Sequence, residues 1–100
     1  LDMFRRIGIH SGALCADVTA TQCGVEGVIG SFRDGALSAD TVVYADTGVI
    51  VDFVEEQQAM AAALEAGGYA HVGRQWNEGH SWGNWRGHLD LLLVTLFPAP

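Results

Sequence analysis

The stretch Asn77-Glu78-Gly79-His80-Ser81-Trp82-Gly83-Asn84 puts an imidazole and a hydroxyl side by side, at His80 and Ser81. Both are groups used in acyl transfer, one as base and one as nucleophile. The segment GHSWG satisfies the G-x-S-x-G pattern of a hydrolase nucleophile elbow, so Ser81 must be weighed first. An elbow places its serine on a strained turn between a buried strand and a helix, with small neighbours. Here Arg74-Gln75-Trp76-Asn77-Glu78 precedes it, too polar for a central strand, and bulky Trp82 follows directly. An α/β-hydrolase also orders its triad Ser, then Asp or Glu, then His. Only 19 residues follow Ser81, and His88 and Asp90 among them would share one helix. The elbow is therefore rejected. His80 fits the opposite role. It lies after the last strand and before the last helix, where open α/β sheets build their sites. Gly79 frees the backbone to turn the ring inward, and Trp82 and Trp85 can wall the loop. The alternative is a solvated loop histidine with no role.

The remaining chemistry-bearing residues carry weaker signals. Cys15 and Cys23 are eight residues apart and form no C-x-x-C pair. His10, His71 and His88 complete the histidines, and neither H-E-x-x-H nor a paired cysteine motif joins them into a metal site. No metal or cofactor is expected. His71 falls within a strand and His88 on the polar side of a helix.

The elements that must position these groups are set by periodicity. Arg6 to Ser11 alternates and reads as a short strand. Between Asp17 and Phe32, Val25, Val28, Ile29 and Phe32 have helical spacing, and Arg33-Asp34-Gly35 marks a turn. Thr41 to Ala45 is a β-branched and aromatic run, a buried strand bounded by Asp46-Thr47-Gly48. Phe53 to Ala66 is rich in Ala, Glu, Gln and Met and predicts a helix, with Asp52 as its N-cap and Gly67-Gly68 as its stop. Tyr69 to Trp76 predicts a third strand and Asn77 to Gly83 a loop. Asn84 to Phe97 predicts one last helix capped by Asn84, with Trp85, Leu89, Leu92, Leu93 and Leu96 as its apolar stripe. Strands alternating with helices imply an α/β fold with a parallel sheet.

One hundred residues make one domain at most, and 49% hydrophobic residues are enough for a core. Charged residues are few at 17%, which suggests that part of the surface belongs against something else. The net charge of −7 and only five scattered Lys or Arg exclude a phosphate-binding stripe, so no nucleic-acid partner is expected. No apolar run is long enough to span a bilayer. The chain opens LDMFRR without a visible signal peptide, which leaves the compartment open and favours the cytoplasm. Three strands are few for a parallel sheet covered on both faces. With the low charge and the absent initial Met, this favours the C-terminal part of a larger α/β domain.

The stretch EGHSWGNWRGHLD resembles the C-terminal signature of the esterase family of α/β-hydrolases that includes enterochelin esterase, feruloyl esterases, S-formylglutathione hydrolase and the mycolyltransferases. That family carries a Gly-Gly-His-Asp/Ser-Trp loop and then a Trp-Arg pair opening the final helix. FRRIGIHSGAL is similar to the family strand after the nucleophile helix, and YADTGVIVD to the strand and turn bearing the acid. Cys15 to Ala39 shows no likeness. The resemblance implies that residues 1–100 are the C-terminal portion of one α/β-hydrolase domain acting on a small-molecule ester. It implies His80 as triad base and Asp52 or Asp46 as acid. Relatives often place the acid three residues after the turn glycine, which here is Val51, a departure. The nucleophile of the family lies upstream of the matched region, so the missing N-terminal part of the same domain would supply the serine. Ser11 has Ile9, not Gly, two residues before it and makes no elbow. Acyl transfer to an alcohol fits the same residues as hydrolysis. A non-catalytic relative using the cleft for binding or as a scaffold is the competing reading, with Val51 as its support.

Overall fold

The computed structural model of the protein describes residues 5–12 and 26–100. Cys15, Cys23 and the first part of the helix expected after Asp17 lie outside the described residues. The elements run β1 (Arg6–His10), α1 (Glu26–Arg33), β2 (Val42–Ile50), α2 (Val54–Gly67), β3 (Ala70–Gly79), α3 (Trp82–Gly87) and α4 (Leu89–Leu96). The three strands form one parallel sheet in the order β1-β2-β3. This is an α/β arrangement, as the alternation of strand-like and helix-like patterns predicts.

Because strand side chains alternate, each face of β2 holds every second residue. Val43 and Ala45 point to one face. There they join Phe32 of α1, Met60, Ala63 and Leu64 of α2, and Tyr69 in a buried cluster, with Ile7, Ile9, Ile29 and Leu37 against it. Full burial of a side chain such as Met60 or Leu64 contributes about 1.5–3 kcal/mol, and this cluster supplies the main apolar burial among the described residues. Tyr44 and Asp46 point to the other face and are buried too. Helix α4 lies on that second face. A Cβ at Gly8 would come within 2.8 Å of the Leu92 side chain, so glycine lets helix and strand approach closely.

Several boundaries differ from the periodicity. Strand β2 does not stop at Asp46-Thr47-Gly48 but runs to Ile50, with Asp46, Thr47 and Gly48 paired to Arg74, Gln75 and Trp76. Turn-forming residues are overridden because the ladder on β3 satisfies their backbone and the Asp46 carboxylate has buried partners. Strand β3 likewise extends to Gly79 through residues expected to loop. Helix α2 is preceded by Asp52, yet its N-cap is Phe53 and no side chain caps it. It stops at Gly67, with Gly68 left-handed at φ 77°. The single final helix is two. Its cap is Ser81, whose Oγ accepts from the Asn84 backbone N–H at 3.2 Å. The break falls at His88, whose Nδ1 lies 2.9 Å from both the backbone and side-chain oxygens of Asn84. The imidazole thus competes for the carbonyl that the next helical turn would use, and the His88 N–H bonds instead to the Trp85 carbonyl. Among the described residues no helix is long and apolar enough to cross a membrane.

Candidate active site

The carboxyl ends of the three strands and the segments leaving them converge on Asp52. Strand β2 ends at Ile50, and Val51 turns the chain back with φ 50°. A β-branched residue in the left-handed region is strained by about 1–3 kcal/mol. Val51 itself is 96% exposed, so packing does not compensate it locally. The turn brings the Asp52 carboxylate back over β2, where Oδ2 accepts from the Gly48 N–H at 2.8 Å. Glycine is required at position 48, since a Cβ there would strike the Glu78 carbonyl.

Four hydrogen bonds fill the Asp52 carboxylate. Oδ2 accepts from Gly48 and from the Ser11 hydroxyl at 2.7 Å. Oδ1 accepts from the Phe53 N–H at 2.9 Å and faces the His80 Nδ1 at 3.0 Å. The Asp52 side chain is 0% exposed and that of His80 46%. Burial alone would raise the carboxyl pKa, but the hydrogen bonds from Ser11, His80, Gly48 and Phe53 outweigh it and hold Asp52 at about 2. An ionised carboxylate only accepts, so His80 Nδ1 carries the hydrogen and donates it. In the neutral ring Nε2 is then the nitrogen with a free lone pair.

The position of His80 comes from β3 and α3. Residues Gly48 and Ile50 of β2 pair with Trp76 and Gly79 of β3, so β3 carries one extra residue there. Such a bulge bends the strand and re-aims the residues beyond it. The ring is then held edge-on between Phe53 at 5.5 Å and Trp85 at 4.7 Å between centroids. Buried Asn84 ties the loop from the other side, its Nδ2 donating to the Gly79 carbonyl at 3.2 Å.

Asp46, the other candidate acid, does not meet His80. It is the register partner of His10, whose Nδ1 lies 2.7 Å from Asp46 Oδ1. The other oxygen accepts from the Tyr44 hydroxyl at 2.6 Å and the Trp76 indole at 3.0 Å. Burial first, and then the hydrogen bond to Asp46, push the Tyr44 hydroxyl well above its ordinary pKa, so it stays a donor. Trp76 stacks flat on His88 with centroids 3.8 Å apart. His71 lies 2.9 Å from the Tyr69 carbonyl, away from both pairs. Among the described residues no group of three or more His, Cys, Asp and Glu is placed to hold a metal ion.

Ser81 and Ser11 are both engaged elsewhere. The Ser81 oxygen caps α3, and the Ser11 hydroxyl faces Asp52 and Trp85, whose Nε1 donates to it at 2.9 Å. Sequence reasoning weighs Ser11 only as a nucleophile, His10 only as a metal ligand and Asn84 only as a helix cap, and gives Tyr44 no role. The available signal is that all four lie in the esterase-like segments, His10 and Ser11 in FRRIGIHSGAL, Tyr44 in YADTGVIVD and Asn84 in EGHSWGNWRGHLD. Comparison with protein-family models, with curated proteins and with solved structures gave no match.

Proposed function

We propose that the chain supplies the base and the orienting acid of a serine hydrolase of the α/β-hydrolase type, acting on a carboxylic ester. The observation that carries this reading is the His80–Asp52 pair, a half-exposed imidazole fixed through Nδ1 by a buried carboxylate. Asp52 holds the ring in one tautomer and stabilises the imidazolium that forms. Nε2 takes the proton of an attacking hydroxyl and later returns it to the leaving alcohol. The attacking serine is assigned to the part of the domain upstream of the esterase-like match, as the resemblance implies. The esterase-like stretch Glu78 to Asp90 supports the same assignment.

The test is hydrolysis of p-nitrophenyl esters by the full-length protein, with a serine-directed fluorophosphonate to mark the nucleophile. His80→Ala abolishes turnover, Ser81→Ala largely spares it, and the label maps outside residues 1–100. Label on Ser81, or loss of activity in Ser81→Ala alone, reinstates the elbow. No hydrolysis and no label leaves the binding or scaffold role.

A further inference from the structure

We infer that Ser11 and Trp85 are positioning residues, a one-way hydrogen-bond relay from indole to hydroxyl to carboxylate that holds Asp52 against His80. The inference rests on reading Asp52 and His80 as acid and base. Its direction comes from donor chemistry. An indole N–H can only donate, so at 2.9 Å from Trp85 Nε1 the Ser11 oxygen must accept. The hydroxyl hydrogen is then directed at Asp52 Oδ2, 2.7 Å away. A serine free to rotate would visit other acceptors, and this one is fixed.

The backbone at Ser11 is shaped to the same end. Its N–H donates to the Asp46 carbonyl at 2.8 Å, extending the β1–β2 ladder one step beyond His10. Plain alternation would then send the Ser11 side chain to the face opposite His10, toward α1 and α2. Instead Ser11 adopts φ 50°, a conformation uncommon for any residue but glycine. Its buried hydroxyl reaches Asp52 and the indole of α3. Strained backbone held by its surroundings is what a functional position shows. Trp85 meanwhile touches His80 directly through the edge-on ring contact and is linked to Asp52 by way of Ser11. Without the hydroxyl, a buried carboxylate oxygen loses one of its two donors and the carboxylate can rotate away from the imidazole.

The experiment compares Ser11→Ala, Ser11→Gly and Trp85→Phe in the full-length protein. Asp52 is followed by carbon NMR of its carboxyl group, Trp85 by its indole proton resonance, and activity by ester hydrolysis. Glycine relaxes the left-handed backbone and alanine keeps it strained, yet both remove the hydroxyl. The relay predicts the same upward movement of the Asp52 titration, by about one pH unit, in both Ser11 variants. It also predicts that kcat falls about tenfold with KM unchanged. In the Ser11→Ala background Trp85→Phe moves Asp52 no further, because the two residues act through one hydrogen bond. A purely structural serine predicts opposite changes in melting temperature for Gly and Ala and an unmoved carboxyl titration, which overturns the relay. A shifted Asp52 in a protein that hydrolyses no ester supports the relay and removes the reaction, so the two readings fail separately.

Discussion

Two histidine–aspartate pairs lie at the carboxyl end of one sheet, His10 with Asp46 at 2.7 Å and His80 with Asp52 at 3.0 Å. In each, Nδ1 faces a buried carboxylate whose other oxygen takes two further donors. They differ in the far side of the ring. His10 Nε2 is buried without a hydrogen-bond partner among the described residues. The His80 ring is almost half exposed. The carboxylates differ as well. Asp46 projects from the middle of a ladder among Tyr44, His10 and Trp76, whereas Asp52 stands beyond a strained turn and gathers backbone and loop donors. The two pairs thus share one contact and differ in what the far nitrogen can reach. Access to the second nitrogen, and a carboxylate carried on a turn outside the ladder, separate the two.

Substitutions that treat the pairs alike should expose the difference. The largest effect is expected on turnover at the exposed pair. His80→Ala lowers kcat at least about 10⁴-fold with little change in melting temperature, measured by ester hydrolysis and calorimetry. Asp46→Ala acts on folding, because it strands the Tyr44, Trp76 and His10 donors in a buried space. It costs about 3 kcal/mol in urea unfolding. An Asp46→Ala protein that stays folded and loses turnover as completely as His80→Ala would erase the distinction.

A smaller effect comes from acid. The folded pKa of Asp52 is depressed from an ordinary 3.8 to about 2. Its contribution to stability is therefore fully present above the unfolded value and is lost as pH falls through the folded one. The loss amounts to about 2 kcal/mol. Asp52→Asn should remove that component from the acid limb of a stability–pH curve. The smallest effect is expected at the turn. Val51→Gly relieves a left-handed β-branched residue whose side chain is almost wholly exposed. It raises stability by about 1 kcal/mol in thermal unfolding and leaves the Asp52 titration in place.

The contrast between the pairs also shows where sequence reasoning stops. The strands and α2 are legible because their patterns match their periods, from Val42-Val43-Tyr44 to the Ala- and Glu-rich run after Phe53. His80 is legible from its place between the last strand and the following helix. The choice between Asp46 and Asp52 is not, since it depends on register. His10 stands opposite Asp46 only once β1 and β2 are paired, and nothing local announces the pairing. Asp-Thr-Gly carries turn chemistry that a tertiary ladder overrides. The leucine stripe of the last segment conceals the break at His88, because the cause is a side chain reaching back to Asn84. Ser11 is weighed in the sequence only as an elbow serine, and its place beside Asp52 stays hidden for the same reason. Its partners lie 41 and 74 residues away along the chain.

The extra residue that β3 carries between Trp76 and Gly79 sets direction, not side. The flanking pairs are Gly48 with Trp76 and Ile50 with Gly79, so deleting it would restore plain pairing and leave Gly79 opposite Ile50. What would go is the local bend and added twist, and with them the aim that carries His80 to Asp52. A one-residue deletion here should therefore part the imidazole from the carboxylate while the sheet stays paired.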